Sequence, residues 1–398
     1  MNVIETLQAR GFIKSHTDLD SLSAAMVEGA VTFYVGFDPT GDSLHIGHLL
    51  PVMAMAHLQA AGHRPIVVLG GGTAMVGDPS GKDKTREILT PEKIQTNLES
   101  MRVQFARFLD LDNAEVLNNA DWLMGLGYIH FLRDVGKHFS VNKMMSAEGI
   151  KQRLDRNQGL SFIEFNYHLL QSYDFLVLHD KYDCTLQLGG DDQWFNILGG
   201  VELIRRERSK PAHALTIPLL QTADGKKMGK TEKGATWLDS TQCSVYDYFQ
   251  YWVNVHDADV GRFLRLYTFL PIKEIEALEA LEGADVRKAK AILAYEATKL
   301  AHGEVEASKA RDAASAAFSG GVSADMPTLT TSLPASVLDL LVDAGLCKSK
   351  GDARRQIQQG AVRLGSDRDV RVDDVGLVIA EETVLWRGKK NCARLLNG

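Results

Sequence analysis

The stretch VTFYVGFDPTGDSLHIGHLLPVMAMAHLQAAGHRPIVVLGG, residues 31–71, carries two hydrophobic periodicities. VTFYVGF (31–37) and PIVVLGG (65–71) are short runs rich in β-branched and aromatic side chains, as buried strands are, and the segment from about His48 to Ala61 between them has helical spacing. Strand, helix and strand make a β-α-β unit. A further helix over about Pro91–Leu109 and a short strand near Ala114–Leu117 continue the alternation. That pattern predicts a parallel sheet with right-handed crossovers, and ligands in such sheets sit beyond the carboxyl ends of the strands. The expected fold class is α/β with a Rossmann-like parallel-sheet nucleotide-binding core.

Outward from this unit, the 398 residues are enough for two or three domains, and 45% hydrophobic with 24% charged is an ordinary soluble mixture. The uncharged apolar run 65–77 spans 13 residues, short of the ~20 that cross a bilayer. MNVIETLQARGFIKSHTD at the N-terminus has no apolar core of signal-peptide length. Cys184, Cys243, Cys347 and Cys392 form no CxxC pair, which argues against a disulfide framework and a zinc ribbon and for a cytoplasmic location. The core is expected over 1–240. From about Val245 to Phe318 the chain turns Ala-, Leu- and Glu-rich, so an all-α domain is expected over 241–318. SGGVSADMPTLTTSLP (319–334) has the composition of a linker, and 335–398 reads as a small α+β module.

Within that module, Ser349 can cap a helix KGDARRQIQQ that Gly360 closes, and AVRLG and VRVDD read as strands. Lys350 and Arg354 share a face of the helix with Arg355 beside them. Averaged over the whole chain, the formal charge of −7 argues against nucleic acid. From Ala335 onward, however, 11 Lys and Arg face 9 Asp and Glu, so the module carries +2 and the remainder −9.

The common phosphate cradles fail on this chain. VVLGGGTAMVGDPSGKDKTR (67–86) follows a strand, but a GxGxxG motif beginning at Gly70 would need glycine where Met75 stands. A P-loop would need Ser or Thr where Asp83 follows Gly81-Lys82. The stronger signal is His45-Ile46-Gly47-His48 at a strand-to-helix junction, after the turn pair Asp38-Pro39. Pro51 lacks an N–H, which costs nothing only in a first turn, so the helix is expected to begin within about four residues before it. Free N–H groups and the positive end of the helix dipole then lie beside two histidines, an anion site built without a P-loop. Far down the chain, DGKKMGKTEKGATWLD (224–239) sets Lys226, Lys227 and Lys230 in a glycine-containing loop, where lysines serve as point charges for phosphates.

HIGH and KMGKT in this order resemble the HIGH and KMSKS signatures of class I aminoacyl-tRNA synthetases. YVGFDPTGDSLHIGHL, VGDPSGK, EFNYHLLQSYDF (164–175) and LQLGGDDQWFNI (186–197) are similar to the bacterial tyrosyl family among them, and the tail to the RNA-binding module of a small-subunit ribosomal protein. The resemblance implies an ATP-dependent ligase that converts L-tyrosine and ATP to tyrosyl-adenylate and pyrophosphate, then transfers tyrosine to the terminal ribose of tRNA(Tyr) for protein synthesis. It also implies a homodimer, Mg²⁺ carried by ATP, no metal cage of the protein's own and no tightly bound cofactor. The helical domain would recognise the anticodon, and Lys350, Arg354 and Arg355 would contact RNA.

Residue by residue, the resemblance assigns Tyr34 and Asp174 to the phenol; Asp78, Tyr167 and Gln171 to the ammonium; and Gln187 and Gln193 to further polar contacts with tyrosine. Tyr167, Gln171 and Asp174 are four and three apart, so on a helix they project from one face. Gly36, Asp38, Gly47, His48, Gly189 and Asp192 fall to adenosine. Thr40 and His45 would meet the γ-phosphate, with Lys82, Arg86, Lys227 and Lys230 closing over the phosphates. Gly229 replaces a serine donor of KMSKS, GGDDQWFN stands for GGSDQWGN with Asp191 and Phe195, and Val35 and Pro51 lack side-chain hydrogen bonds toward the ribose; modest effects on ATP affinity are expected. Three alternatives remain: the tryptophanyl family, which has no use for a phenol-reading pair; a small-molecule nucleotidyltransferase, which needs no RNA module; and a synthetase-derived RNA-binding protein without activity.

Overall fold

The structure is a computed structural model that describes residues 2–78, 90–157, 159–223, 225, 228, 230–231, 234–319, 326–366, 368–388 and 391–398. Thr32–Phe37 (β1), Arg64–Leu69 (β2), Glu115–Asn118 (β3), Cys184–Gly190 (β4) and His213–Ile217 (β5) form an all-parallel sheet in the order β3-β2-β1-β4-β5. The chain leaves β1 toward β2 and β3 but leaves β4 toward β5, so the loops beyond β1 and β4 part and open a crevice between them. Register sets Tyr34 beside Gln187 and Val35 beside Leu188 across that line.

The expected β-α-β unit is present, with its helix at Ile46–Ala60. That helix starts five residues before Pro51 rather than within about four, so the proline lies inside it. Its missing N–H leaves the Gly47 carbonyl without the usual helical donor. The early start is anchored from outside, because the Ile46 N–H donates to the Thr236 carbonyl at 3.1 Å. On the sheet, Tyr34, Ile66 and Val68 pack with Phe175 and Leu178 of the Phe162–Tyr182 helix and with Leu203 and Ile204 of the Trp194–Arg208 helix.

The chain divides into two compact units, 1–242 with 256–289, and 243–255 with 290–398. In the first, Arg10 explains how a late segment joins an early one. Its Nη1 donates to the carbonyls of Arg265 (2.9 Å) and Thr268 (2.8 Å) and its Nη2 to that of Leu270 (2.6 Å), satisfying the carboxyl end of the Val260–Tyr267 helix. In the second, Val370–Arg371, Val362–Leu364, Thr383–Arg387, Asn391–Asn397 and Thr328–Thr331 form a sheet in that order. Thr328–Thr331 lies inside the stretch whose composition suggests a linker, yet it pairs in parallel with Asn391–Asn397. Thr-Leu-Thr-Thr suits a pleated edge, a local preference that the surrounding Ser, Gly and Pro obscure. The Lys350–Gln358 helix is capped as expected, with the Ser349 hydroxyl accepting from the Asp352 N–H at 3.3 Å; it buries Ala353 and Ile357 and exposes Lys350, Arg354 and Arg355. Among the described residues no helix is long and apolar enough to cross a membrane.

Candidate active site

The floor of the crevice is a buried polar network. Tyr34 on β1, Gln187 on β4 and Asp174 on the Phe162–Tyr182 helix are all buried. Asp174 accepts from Asn119 Nδ2 at 3.0 Å and from Trp122 Nε1 at 2.7 Å. Burial pushes its carboxyl up to about 7 and the charge of Asp38 adds to the rise, while the two donors pull the other way. Burial, with Asp174 next, also raises the Tyr34 phenol. Among the described residues, Tyr34 Oη and Gln187 Oε1 have no hydrogen-bond partner, although both are buried. Buried polar atoms of this kind mark where a ligand can supply the missing bond.

Asn119 carries the network outward. Its Nδ2 also donates to Thr73 Oγ1 at 3.0 Å, its Oδ1 accepts from the Gly72 N–H at 2.8 Å, and the Thr73 hydroxyl donates to Asp38 Oδ1 at 3.4 Å. The glycine run that fits no phosphate motif has its explanation here. A Cβ at Gly70 would sit 2.5 Å from both Asp38 Oδ1 and Thr73 Oγ1, and one at Gly71 would sit 2.2 Å from Asn118 Oδ1. The glycines make room for polar side chains crossing beneath the crevice. No motif in the sequence singles out Asn119, Trp122 or Thr73. The available signal is topological, since Asn119 and Trp122 follow β3 at the edge where such sheets bind ligands.

A second carboxylate, Asp78, is buried and accepts from Gln193 Nε2 at 2.8 Å. Gln193 Oε1 in turn accepts from Asn196 Nδ2 at 3.2 Å. Tyr167, Gln171 and Asp174 do lie on one helix, with Tyr167 and Asp174 buried and Gln171 half-buried. At the end of β4, Gly189 is packed against Ile197 and Gln193, and Asp192 lies 3.5 Å from Gln193 Nε2. Asp191 bonds elsewhere, its Oδ1 accepting from Ser15 Oγ at 2.8 Å and from Thr216 Oγ1 at 2.6 Å.

At the opposite end lies the HIGH segment. The rings of His45 and His48 stack with centroids 3.8 Å apart and planes 10° from parallel. The His45 N–H donates to His48 Nδ1 at 3.3 Å, so the proton of a neutral His48 ring resides on Nε2. A Cβ at Gly47 would stand 2.8 Å from His45 Cε1 and 3.0 Å from its Nδ1, so a larger residue must displace that ring; beyond the histidine the nearest atom is the Met228 carbonyl oxygen at 3.7 Å. Met228 belongs to the KMGKT segment, and Trp237 pairs with His45 through an antiparallel bridge, their rings 5.8 Å apart. The two signature segments therefore meet at one helix start. Gly36 is exposed on β1, and Thr40 is exposed with its N–H donating to the Asp38 carbonyl at 2.8 Å. Lys82, Arg86 and Lys227 lie outside the described residues, and of Lys230 only the backbone is described. Lys350, Arg354 and Arg355 belong to the other unit; Lys350 pairs with Asp339, and Arg355 with Asp352 at 3.5 Å.

Chemically, the crevice has a phenol- and carboxylate-lined floor, a second carboxylate beside it, and a helix start with two imidazoles at its other end. Such a site suits a small cationic group, a hydroxyl donor and an anion together.

Residues 26–319 match the family described as tRNA synthetases class I (W and Y), and residues 318–394 match the tyrosine–tRNA ligase SYY-like C-terminal domain. The chain is 51% identical to tyrosine–tRNA ligase 1 of Clostridium acetobutylicum, covering 100% of both chains. It is 49% identical to tyrosine–tRNA ligase of Clostridium tetani over 99% of each. Among solved structures, a C-terminally truncated mitochondrial tyrosyl-tRNA synthetase of Aspergillus nidulans aligns with a TM-score of 0.70 at 32% identity, over 78% of this chain and 92% of that one.

Proposed function

Because this chain belongs to the class I tRNA synthetases (W and Y), we propose that it is a tyrosine–tRNA ligase. A carboxylate oxygen of L-tyrosine attacks the α-phosphorus of ATP, the bond to the β-phosphate oxygen breaks, and pyrophosphate leaves. A hydroxyl of the terminal ribose of tRNA(Tyr) then attacks the activated carbonyl, and AMP and a proton depart.

The observation that carries this reading is the buried pair Tyr34 and Asp174 at the floor of the crevice. A hydroxyl donor and acceptor meet a phenol, whereas phenylalanine would leave buried acceptors unpaired, at about 1–3 kcal/mol for each group. Asp78, Tyr167 and Gln171 take the ammonium, with Gln187 and Gln193 as further contacts. Gly36, Asp38, Gly47, His48, Gly189 and Asp192 hold adenosine. Thr40, His45, Lys82, Arg86, Lys227 and Lys230 stabilise charge as the α-phosphate becomes pentacoordinate, acting chiefly in the transition state. The tyrosine carboxylate is already the nucleophile, so no general base is assigned. Mg²⁺ would arrive with ATP as part of the substrate and supply further neutralisation of charge at the phosphates.

The same family reading makes the protein a homodimer, for which Tyr128, Ile129, Val141, Phe162 and Ile163 are exposed apolar side chains in the first unit that a partner could cover; sedimentation as a monomer at micromolar concentration would remove it. Exposed Lys350, Arg354 and Arg355 are the proposed RNA contacts, and their joint replacement by alanine is expected to weaken tRNA charging while sparing adenylate formation. The protein works in the cytoplasm, where charged tRNA is consumed. The deciding experiment is exchange of labelled pyrophosphate into ATP without tRNA. Tyrosine should support it and phenylalanine and tryptophan should not; exchange with tryptophan in place of tyrosine overturns the assignment.

A further inference from the structure

We propose that His168 is a positioning residue for the amino end of the substrate, acting through Asn196 and Gln193 on Asp78; this rests on the tyrosine reading above. Three hydrogen bonds join these side chains in series. His168 Nδ1 lies 3.3 Å from Asn196 Oδ1, Asn196 Nδ2 donates to Gln193 Oε1 at 3.2 Å, and Gln193 Nε2 donates to Asp78 Oδ2 at 2.8 Å. An amide oxygen only accepts, so Nδ1 must carry the imidazole proton. Every donor in the series then points toward Asp78.

The histidine is held where that requires. Its ring is buried, stacked on Phe195 with centroids 4.3 Å apart, and met edge-on by Phe139 at 5.2 Å. A Cβ at Gly199 would lie 2.3 Å from its Cε1, so the neighbouring helix presents bare backbone beneath it. Burial lowers its pKa to about 4, with the Lys143 charge adding to the fall and the Asn196 bond opposing it. The ring is therefore neutral at pH 7, with one proton to place. Phe195 is one of the residues that departs from the family pattern, and here it forms one wall of the histidine's pocket.

The two ends of the series fix the amides between them. Asp78 and, at 3.5 Å, Asp192 require the Gln193 NH₂, and the imidazole N–H requires the Asn196 oxygen. Without the imidazole donor, Asn196 can turn its oxygen toward Gln193 Oε1, which repels it, so Gln193 shifts and Asp78 loses the placement needed to receive an ammonium.

Titration calorimetry tests this with two ligands, tyrosine and 3-(4-hydroxyphenyl)propanoate, which keeps the phenol and the carboxylate but lacks the amine. His168→Leu is expected to weaken tyrosine binding about tenfold, the scale of one lost orienting hydrogen bond, and to leave the deaminated ligand within twofold. His168→Gln, whose Nε2–H can serve Asn196, should recover most of the loss. Parallel weakening of both ligands, or no change for tyrosine, overturns the proposal. If His168→Leu does not fold, Asn196→Asp takes its place, since it puts a second oxygen against Gln193 at unchanged size; it should show the same split, and equal weakening of both ligands again overturns the relay. Tyrosine-dependent pyrophosphate exchange by the wild-type protein is measured alongside. Its absence with tyrosine still bound defeats the catalytic reading and leaves the binding test standing.

Discussion

At one end of the crevice, Asp174 is buried and bonded to Asn119 and Trp122, with Tyr34 and Gln187 buried on the strands beside it. At the other, Gly36 is exposed, and the groups on offer are two stacked imidazoles at a helix start, where the Ile46 and His48 N–H groups expected to be free are already bonded to the Thr236 and His45 carbonyls, and a segment whose sequence carries lysines. The first end is built by desolvated side chains that fix one another, the second by a helix dipole and two half-buried imidazoles. Recognition by the buried end should fail through binding and through which amino acid is accepted. Failure at the exposed end should appear in the chemical step, where negative charge develops.

The sharpest way to break this comparison is Asp174→Ala. It strands the donors of Asn119 and Trp122 and removes the phenol acceptor, so kcat/KM for tyrosine should fall by about 10³, two to three lost bonds at roughly 1–3 kcal/mol each. The KM for ATP should stay within a few-fold in pyrophosphate exchange; an equal rise would mean that the two ends are not separate. The carboxyl also has a pH signature. Its pKa is raised to about 7 from 3.8, so between those values the ligand-free native state binds a proton that the unfolded chain has released. Stability therefore falls as pH rises through this window, by up to about 4 kcal/mol at 1.36 kcal/mol per pKa unit. Asp174→Asn should flatten that slope when denaturant midpoints are compared at pH 5 and pH 8.

Next in size is His45→Ala at the exposed end. Loss of one transition-state donor is worth about 3 kcal/mol, so kcat for exchange should drop about 10²-fold while the KM for tyrosine holds. A matching rise in the KM for tyrosine would place His45 in ground-state binding instead. Gly47→Ala should be milder, about tenfold in kcat/KM for ATP, because the new methyl would stand 2.8 Å from His45 Cε1 and the ring must give way.

How far the sequence reveals these two ends follows from how each is built. The exposed end is local, a strand followed by His-Ile-Gly-His and a helix, and local patterns survive in a linear reading; even there Pro51 misplaces the start by one residue, because the Ile46 N–H is held by Thr236, far away in sequence. The buried end is only partly local. Tyr167, Gln171 and Asp174 show their common face by helical spacing, but Asn119 and Trp122 reach Asp174 across 55 and 52 positions and no motif carries them. Likewise His168, Asn196 and Asp78 belong to three segments that only the packed fold brings together. The strand Thr328–Thr331 escapes for a related reason: its partner Asn391–Asn397 lies at the far end of the module, and a pairing that distant leaves no mark in the composition around it.

Asp191 gives the smallest expected effect and marks where the nucleotide end stops. From its position in GGDDQWFN it is a departure that should disturb contacts near the ribose. In the fold its Oδ1 accepts from Ser15 Oγ and Thr216 Oγ1. Thr216 lies on β5, and its N–H donates to the Ser15 carbonyl at 2.7 Å while its carbonyl accepts from the Lys14 N–H at 2.8 Å. The N-terminal segment thus covers the outer edge of β5, which would otherwise offer unpaired backbone groups, and Asp191 secures the join. Asp191→Ser shortens the side chain and loses two charge-assisted bonds that are partly exposed, so stability should fall by about 1–2 kcal/mol in denaturant titration. The KM for ATP should move less than twofold. A larger shift in ATP affinity with stability unchanged would return Asp191 to the nucleotide site and extend that end of the crevice to the edge of β5.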